Sequence, residues 1–139
     1  MKNPGRALST LLVALVVALS PGKAIAQNWT PLLKHTAAEL FDEEDMRLFR
    51  DAARRTLDET PAGGTVSWAN PKTESRGDLT VVSEFTWQGH RCRKIKVNNE
   101  AKGRKGQSTP SLCRVDGRWR AMSASQLQQS SATATTERP

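Results

Sequence analysis

The sequence predicts an α+β domain in which one N-terminal helix packs on a small antiparallel β-meander of four to five strands, with one disulfide. Three observations lead to this fold class. An acidic stretch near residue 42 has helical spacing of its apolar residues, short alternating stretches with turn residues between them follow it, and the chain has two cysteines. The order of these features predicts the helix first and the sheet second.

The first 26 residues predict a secretory signal peptide. Lys2 and Arg6 are positively charged, and the apolar run at residues 11–19 that follows them is too short to span a bilayer as a helix. Ala24-Ile25-Ala26 offers small residues at the positions that signal peptidase reads, which predicts cleavage before Gln27. We therefore expect an exported protein, in the periplasm or at the cell surface, with no transmembrane segment after cleavage.

Composition divides the remaining chain into three parts. Residues 27–40 are expected to be a lead-in, and residues 41–122 carry the helical and strand patterns of one domain. Residues 123–139 consist mostly of Ser, Thr, Gln and Ala, with Leu127 as the one large apolar residue. This stretch predicts a disordered tail because it has little apolar surface to bury.

Charge is distributed unevenly along the chain. The whole sequence has a net charge of +7, from 21 basic and 14 acidic side chains. Residues 28–61 carry five basic and eight acidic side chains, whereas residues 62–122 carry twelve basic and five acidic ones. The sequence therefore predicts an acidic helix followed by a basic sheet.

The acidic part has the start, stripe and end of an amphipathic helix. Asp42 is a favourable N-cap, and three acids follow it in the first turn, where the helix dipole favours negative charge. Thr60-Pro61-Ala62-Gly63-Gly64 ends the pattern. The apolar residues that recur at helical spacing are Met46, Phe49, Ala53 and Leu57.

The basic part has the pattern of an antiparallel meander. Turn residues separate five short stretches, at residues 65–69, 79–87, 91–98, 112–115 and 118–122. In the second of these, alternation predicts that Leu79, Val81, Phe85 and Trp87 share one face of the sheet, with Val82 interrupting the pattern.

The two cysteines are predicted to form a disulfide across neighbouring strands. A two-residue turn at Lys102-Gly103 places Cys92 opposite Cys113 in a pair whose Cα atoms lie about 4.5 Å apart. The same register places Pro110 opposite Ile95 at a hydrogen-bonded position, where proline has no N–H to donate. A bulge or a longer loop near Pro110 is therefore expected.

Several motifs together resemble a known family. In chain order they are Trp68-Ala69-Asn70-Pro71, Cys92-Arg93, Cys113-Arg114 and Asp116-Gly117-Arg118-Trp119. Over about residues 40–122 the chain resembles the surface-antigen domain of bacterial outer-membrane proteins related to the rickettsial 17 kDa antigen. The resemblance implies an envelope location, a small helix-plus-sheet domain and no established enzymatic activity. Many relatives carry a lipobox cysteine and a glycine-rich segment before this domain; this sequence has neither, so the resemblance does not imply outer-membrane anchoring.

Catalytic and metal-binding patterns are weak. His90 and Cys92 would share a strand face, which leaves open an alternative as a small periplasmic hydrolase or redox protein with a thiolate-imidazole pair. The expected disulfide removes that thiolate, so no catalytic residue is predicted. His35 lies far from His90 in the sequence and no zinc-type spacing is present, so neither a metal site nor a cofactor is expected. Nor is a small-molecule substrate evident.

A cluster of cations suggests a binding surface. We expect it to form a basic sheet face that docks an anionic envelope component, such as lipopolysaccharide phosphates, peptidoglycan carboxylates or an acidic protein. Alternatively, the charges only protect a strand edge from aggregation. Nucleic acid is the weaker candidate, because Trp87 and Trp119 are expected in the core. The seven residues are Arg91, Arg93, Lys94, Lys96, Lys102, Arg104 and Lys105.

Overall fold

The computed structural model of the chain describes Leu33 and residues 36–133. The predicted signal peptide and its cleavage site lie outside these residues, as do most of the lead-in and the last residues of the predicted tail. The domain boundaries therefore stay predictions.

The main helix begins where the sequence predicts. A short 3₁₀ helix, Ala37–Leu40, precedes helix α1, Glu43–Asp58. The Asp42 carboxylate accepts a hydrogen bond from the Asp45 backbone N–H at 2.7 Å, and the Asp45 carboxylate accepts one from the Asp42 N–H at 3.2 Å. This reciprocal capping box satisfies two backbone donors that the first turn leaves without helical partners.

Asp45 also ties the start of α1 to the sheet. Its buried carboxylate accepts hydrogen bonds from the Asn70 amide at 2.7 Å, the Thr73 hydroxyl at 2.6 Å and the Ser75 hydroxyl at 2.9 Å. Burial raises the pKa of the Asp45 carboxyl, but these hydrogen bonds outweigh burial, and the pKa is lowered overall. The ionised form of Asp45 therefore contributes to the attachment of the helix.

Six antiparallel strands form one sheet. In spatial order β1, β2, β3, β5 and β6 lie side by side, and β4 pairs with β3 beyond the end of β5. The strands are β1 Thr65–Asn70, β2 Ser75–Trp87, β3 His90–Ala101, β4 Arg104–Ser108, β5 Ser111–Val115 and β6 Arg118–Met122.

The structure has six strands, so the prediction of four to five is wrong. The additional strand arises because Pro110 divides one stretch of chain into β4 and β5. β4 and β5 pair with β3 in a single continuous register, from Ala101 opposite Arg104 to Cys92 opposite Cys113. At the position between them, the Ile95 N–H donates to the Pro110 carbonyl at 2.9 Å, and Pro110 has no N–H to return. The ladder breaks there without a bulge or a longer loop, so that expectation is also wrong.

A β-bulge in β2 lies at Val82. Val81 pairs with Ile95, whereas Ser83 pairs with the preceding residue of β3, Lys94, so Val82 is the additional residue. Its side chain is 49% exposed. An extra residue reverses the alternation of every side chain that follows it in the strand.

The bulge corrects the predicted face of β2. Leu79 and Val81 point towards α1 and are fully buried, in agreement with the prediction. Phe85 and Trp87 come after the bulge and lie on the opposite side of the sheet, which we call the outer face. Glu84 takes the position facing α1, opposite the buried Arg93.

The core lies between α1 and the sheet. Trp68 contacts Phe41 with ring centroids 5.0 Å apart and Phe49 with centroids 6.2 Å apart, both with near-perpendicular rings. The predicted helical stripe is confirmed, since Phe49, Ala53 and Leu57 are buried and Met46 packs against them. The remaining buried core residues are Ala52, Leu79, Ile95, Val97, Leu112 and Trp119.

A second helix, α2, occupies Ala124–Thr133, within the segment predicted to be a disordered tail. The predicted fold lacked this helix. The Ser123 N–H donates to the Gln126 amide oxygen at 2.8 Å, and the Gln126 N–H donates to the Ser123 hydroxyl at 3.2 Å. This capping box is a local signal that composition did not reveal. Within the described residues, no helix combines the length and apolar character needed to cross a membrane.

Candidate binding surface

The predicted disulfide is present. Cys92 and Cys113 lie directly opposite each other on β3 and β5, with their Cα atoms 4.0 Å apart, and both are fully buried. The Cys92 sulfur is therefore bonded and is not a thiolate beside His90. No cysteine in the described part of the chain is free.

The seven cations predicted to form one basic face lie on different sides of the sheet. Because side chains alternate along a strand, the even-numbered positions of β3 point to the outer face and the odd-numbered ones point to α1. Lys94 and Lys96 are exposed on the outer face. Arg93 is buried beside α1, so it is not part of an exposed surface. The binding role of this set stays a prediction.

Arg93 stabilises the end of α1. Its guanidinium donates to the Thr56 carbonyl at 2.8 Å and the Thr60 carbonyl at 2.6 Å, and it also forms an ion pair with Glu84. The last carbonyls of a helix have no helical partners, so a buried cation at this end satisfies them. Since its side chain is only 3% exposed, Arg93 has a structural role.

Two other arginines form ion pairs at the periphery. Arg91 contacts Glu84 at 2.9 Å, and Arg104 contacts Glu39 of the 3₁₀ helix at 3.7 Å. The hydrogen bond from Arg91, with a further one from Arg93, holds the pKa of Glu84 below its usual value. Lys102 lies at the tip of the β3–β4 hairpin, and Lys105 lies on the outer face beside Glu100.

The outer face also carries two cations that are not among the seven predicted binding residues. Arg118 and Arg120 are exposed on β6, and Arg120 lies opposite Cys113, in the row of the disulfide. Both flank the buried Trp119, and this alternation was the signal that could have identified them. With Lys94 and Lys96 they form what we call the basic cluster.

The basic cluster has no acidic partner. β5 separates β3 from β6, so the two pairs of cations are two strand spacings, about 10 Å, apart across the sheet, and Arg120 also lies two residues further along the strands than Lys94. All four side chains are exposed, and among the described residues none of them forms an ion pair. Their charge is therefore available to a ligand or partner.

Aromatic side chains adjoin the basic cluster. The rings of Trp87 and His90 lie next to each other, with centroids 6.4 Å apart, and Phe85 lies opposite Cys92. All three are partly buried on the outer face. Trp87 therefore does not belong to the core beneath α1, contrary to the prediction. Trp119 does belong to it, and its indole N–H donates to the Asp58 carboxylate at 2.8 Å.

The described residues contain no group of three His, Cys, Asp or Glu side chains close enough together to hold a metal ion. The surface presents exposed cations next to apolar rings, on a sheet held by a disulfide.

Comparison with known proteins finds a family that this domain resembles. The family model described as 17 kDa outer membrane surface antigen matches residues 55–120, from the end of α1 to β6. The 17 kDa surface antigen of Rickettsia felis is 31% identical over 81 residues, which cover 57% of this chain and 51% of that protein. The corresponding antigen of Rickettsia prowazekii is 29% identical over 80 residues, which cover 56% of this chain and 50% of that protein.

The chain spans about half the length of the curated relatives it matches. No solved structure matches it. The matched region contains both cysteines of the disulfide, strands β1 to β5 and the first residues of β6. Over residues 55–120, the chain is therefore similar to the family of 17 kDa outer membrane surface antigens.

Proposed function

We propose that this protein is an exported, non-enzymatic envelope domain that binds the phosphate groups of lipopolysaccharide through the basic cluster. The names of the family and of its rickettsial members support the envelope location. The observation that carries the binding proposal is the presence of four exposed cations, without acidic partners in the described chain, on one face of the sheet.

The composition of this surface favours a phosphate-bearing amphiphile. Arginine side chains such as Arg118 and Arg120 present planar donors that match phosphate oxygens, and lysines add positive charge. The partly buried rings of Phe85 and Trp87 offer apolar contact beside these cations. Lipopolysaccharide supplies both chemistries, since its headgroup carries phosphates and its acyl chains are apolar.

Protection of a strand edge does not account for the whole cluster. β6 is an edge strand, so Arg118 and Arg120 are placed where charges discourage pairing with another chain. β3 lies inside the sheet, with β2 on one side and β4 and β5 on the other. Lys94 and Lys96 therefore have no edge to protect, so edge protection does not explain these two cations.

The decisive variant is Lys94→Glu with Lys96→Glu. We expect the wild-type protein to bind lipopolysaccharide at low ionic strength and to lose binding as salt screens the charges. The double variant should bind at least about tenfold more weakly, because two attractive contacts become repulsive. Surface plasmon resonance on immobilised lipopolysaccharide measures this change.

A matched control is available on α1. Arg50→Glu with Arg54→Glu changes the net charge by the same amount at two exposed positions on the helix, away from the sheet. This variant should bind as the wild type does. Equal weakening in both variants would show that only net charge matters, and unchanged binding to dephosphorylated lipopolysaccharide would contradict the role of phosphate.

Export has a separate test. Mass spectrometry of the protein recovered from the envelope should find Gln27 at its N-terminus, since cleavage is expected after Ala26. An N-terminus that still includes Met1 would contradict the export part of the proposal.

A further inference from the structure

The outer face has a second feature, which lies next to the basic cluster towards the end of the sheet where β4 pairs with β3. A groove of about 630 Å³ crosses β1, β2, β3 and β4. Its floor is the backbone of Trp68, Gly77, Asn99 and Gly106, which lie in one row across the four strands and whose side chains, where present, point towards α1. We call it the polar groove.

Two rows of side chains wall the polar groove. They are two residues apart along the strands, so they stand about 7 Å apart, and four strands give a length of about 14 Å. The first row is Ser67, Asp78, Asn98 and Gln107, and the second is Ala69, Arg76, Glu100 and Lys105.

The charges in the two walls balance each other. Arg76 forms an ion pair with Glu100 at 2.9 Å, and the Asp78 carboxylate accepts a hydrogen bond from the Ser67 hydroxyl at 2.6 Å. Together with Lys105, the walls contain two cations and two anions. An uncharged ligand therefore suits the polar groove better than the phosphates proposed for the basic cluster.

The walls also offer both donors and acceptors. Asn98 and Gln107 stand opposite each other, and among the described residues neither side-chain amide has a hydrogen-bond partner. An amide donates and accepts, and the carboxylates of Asp78 and Glu100 accept. A ligand rich in hydroxyl groups, each of which is both donor and acceptor, matches this set.

The geometry excludes two common protein ligands. A helix is about 10–12 Å wide with its side chains and does not fit between walls about 7 Å apart. An extended peptide binds to a sheet by adding a strand at a free edge. The floor lies mostly within the sheet, where the backbone groups of β2 and β3 are already paired on both sides.

We propose that the polar groove binds an extended, uncharged glycan chain. Recognition comes from hydrogen bonds between sugar hydroxyls and the side chains of the walls. This inference is independent of lipopolysaccharide binding, because it uses a different part of the outer face and a ligand without charge.

The test is isothermal titration of the exported full chain with two uncharged probes, the hexamer of N-acetylglucosamine and maltohexaose. At least one should bind, with an affinity that stays constant as salt is raised, because no charge is neutralised. Ala69→Trp places a large side chain at an exposed position in the groove wall and should abolish binding. Asn98→Ala with Gln107→Ala removes the two unpaired amides and should weaken binding by roughly tenfold.

Lys94→Glu with Arg120→Glu is the control, because it changes the basic cluster at positions that lie four or more residues along the strands from the groove wall. It should bind the glycan as the wild type does, which separates this proposal from the previous one. If Ala69→Trp lowers the melting temperature, its loss of binding could reflect unfolding. The binding of the Asn98→Ala with Gln107→Ala variant then tests the proposal. Failure of both probes to bind, or binding that persists in a folded groove variant, would overturn the proposal.

Discussion

Arg93 and Lys94 are neighbours on β3, yet the structure uses their charges in opposite ways. Arg93 is 3% exposed and bonds two carbonyls near the end of α1. Lys94 points to the outer face and has no ion-pair partner among the described residues. The side of the sheet, rather than the residue type, separates structural cations from those available for binding.

The same contrast extends over the rest of the sheet. On the side of α1, buried charges are held by several partners, as Asp45 is by Asn70, Thr73 and Ser75. On the outer face, charged side chains are either exposed without partners or paired in solvent. Mutations should therefore affect stability on the first side and recognition on the second.

The largest expected effect follows from Arg93→Ala. It leaves the buried carbonyl of Thr56 and the partly buried carbonyl of Thr60 without this donor and removes the ion pair with Glu84, so we expect a loss of about 3–5 kcal/mol in the free energy of unfolding. Lys94→Ala should change it by less than about 0.5 kcal/mol. Urea unfolding of the two variants measures the difference, and similar values for both would remove the distinction between the faces.

The disulfide is expected to contribute slightly less. Cys92→Ala with Cys113→Ala removes a crosslink between residues 21 positions apart, which should cost about 3 kcal/mol by the chain-entropy model. Native protein purified without reductant should show no titratable thiol. Two reactive thiols in that sample would show that Cys92 and Cys113 are not bonded, and would contradict the crosslink between β3 and β5.

Asp45 should make the stability depend on acid. Its pKa is lowered in the folded state, so its contribution is present above the unfolded pKa of about 3.9 and disappears as the pH falls through the folded value. Asp45→Asn should cost about 1–3 kcal/mol at pH 7 and flatten the decline in stability at acidic pH. Urea unfolding from pH 7 to pH 3 tests this, and parallel curves for both proteins would argue against it.

The smallest effect is expected at an ion pair of the outer face. Arg76 and Glu100 form a pair in which the Arg76 side chain is 64% exposed. Arg76→Ala should therefore lower stability by less than about 1 kcal/mol, and high salt should reduce the difference. If Arg76→Ala lowered the free energy of unfolding as much as Arg93→Ala does, exposure would not distinguish the charges that stabilise the fold from those that do not.

Local signals account for the elements that were predicted correctly. The capping residue Asp42, the apolar stripe ending at Leu57 and the turn at Lys102-Gly103 each act over a few residues. They located α1 and the register that brings Cys92 opposite Cys113. The same kind of signal is present at Ser123 and Gln126 for α2, although the composition of that segment predicts disorder.

The errors in the predicted sheet arise at two residues, Pro110 and Val82. Both residues interrupt a strand pattern in the sequence, but whether a strand breaks, loops or bulges depends on the strands that pair with it. The opposing strand decided both cases, because Ile95 still donates to Pro110 while Val82 has no residue opposite it. The bulge then moved Phe85 and Trp87 to the outer face.

The sequence by itself determined that a capped helix precedes a basic antiparallel sheet and that a disulfide joins β3 to β5, because capping, periodicity and turn chemistry are local. Only the tertiary structure decided which cations are free. The side that each one takes depends on alternation, on the bulge in β2 and on the position of α1. For this reason Arg93 is buried and is not part of the predicted binding surface, whereas Arg118 and Arg120 lie on the same face as Lys94 and Lys96.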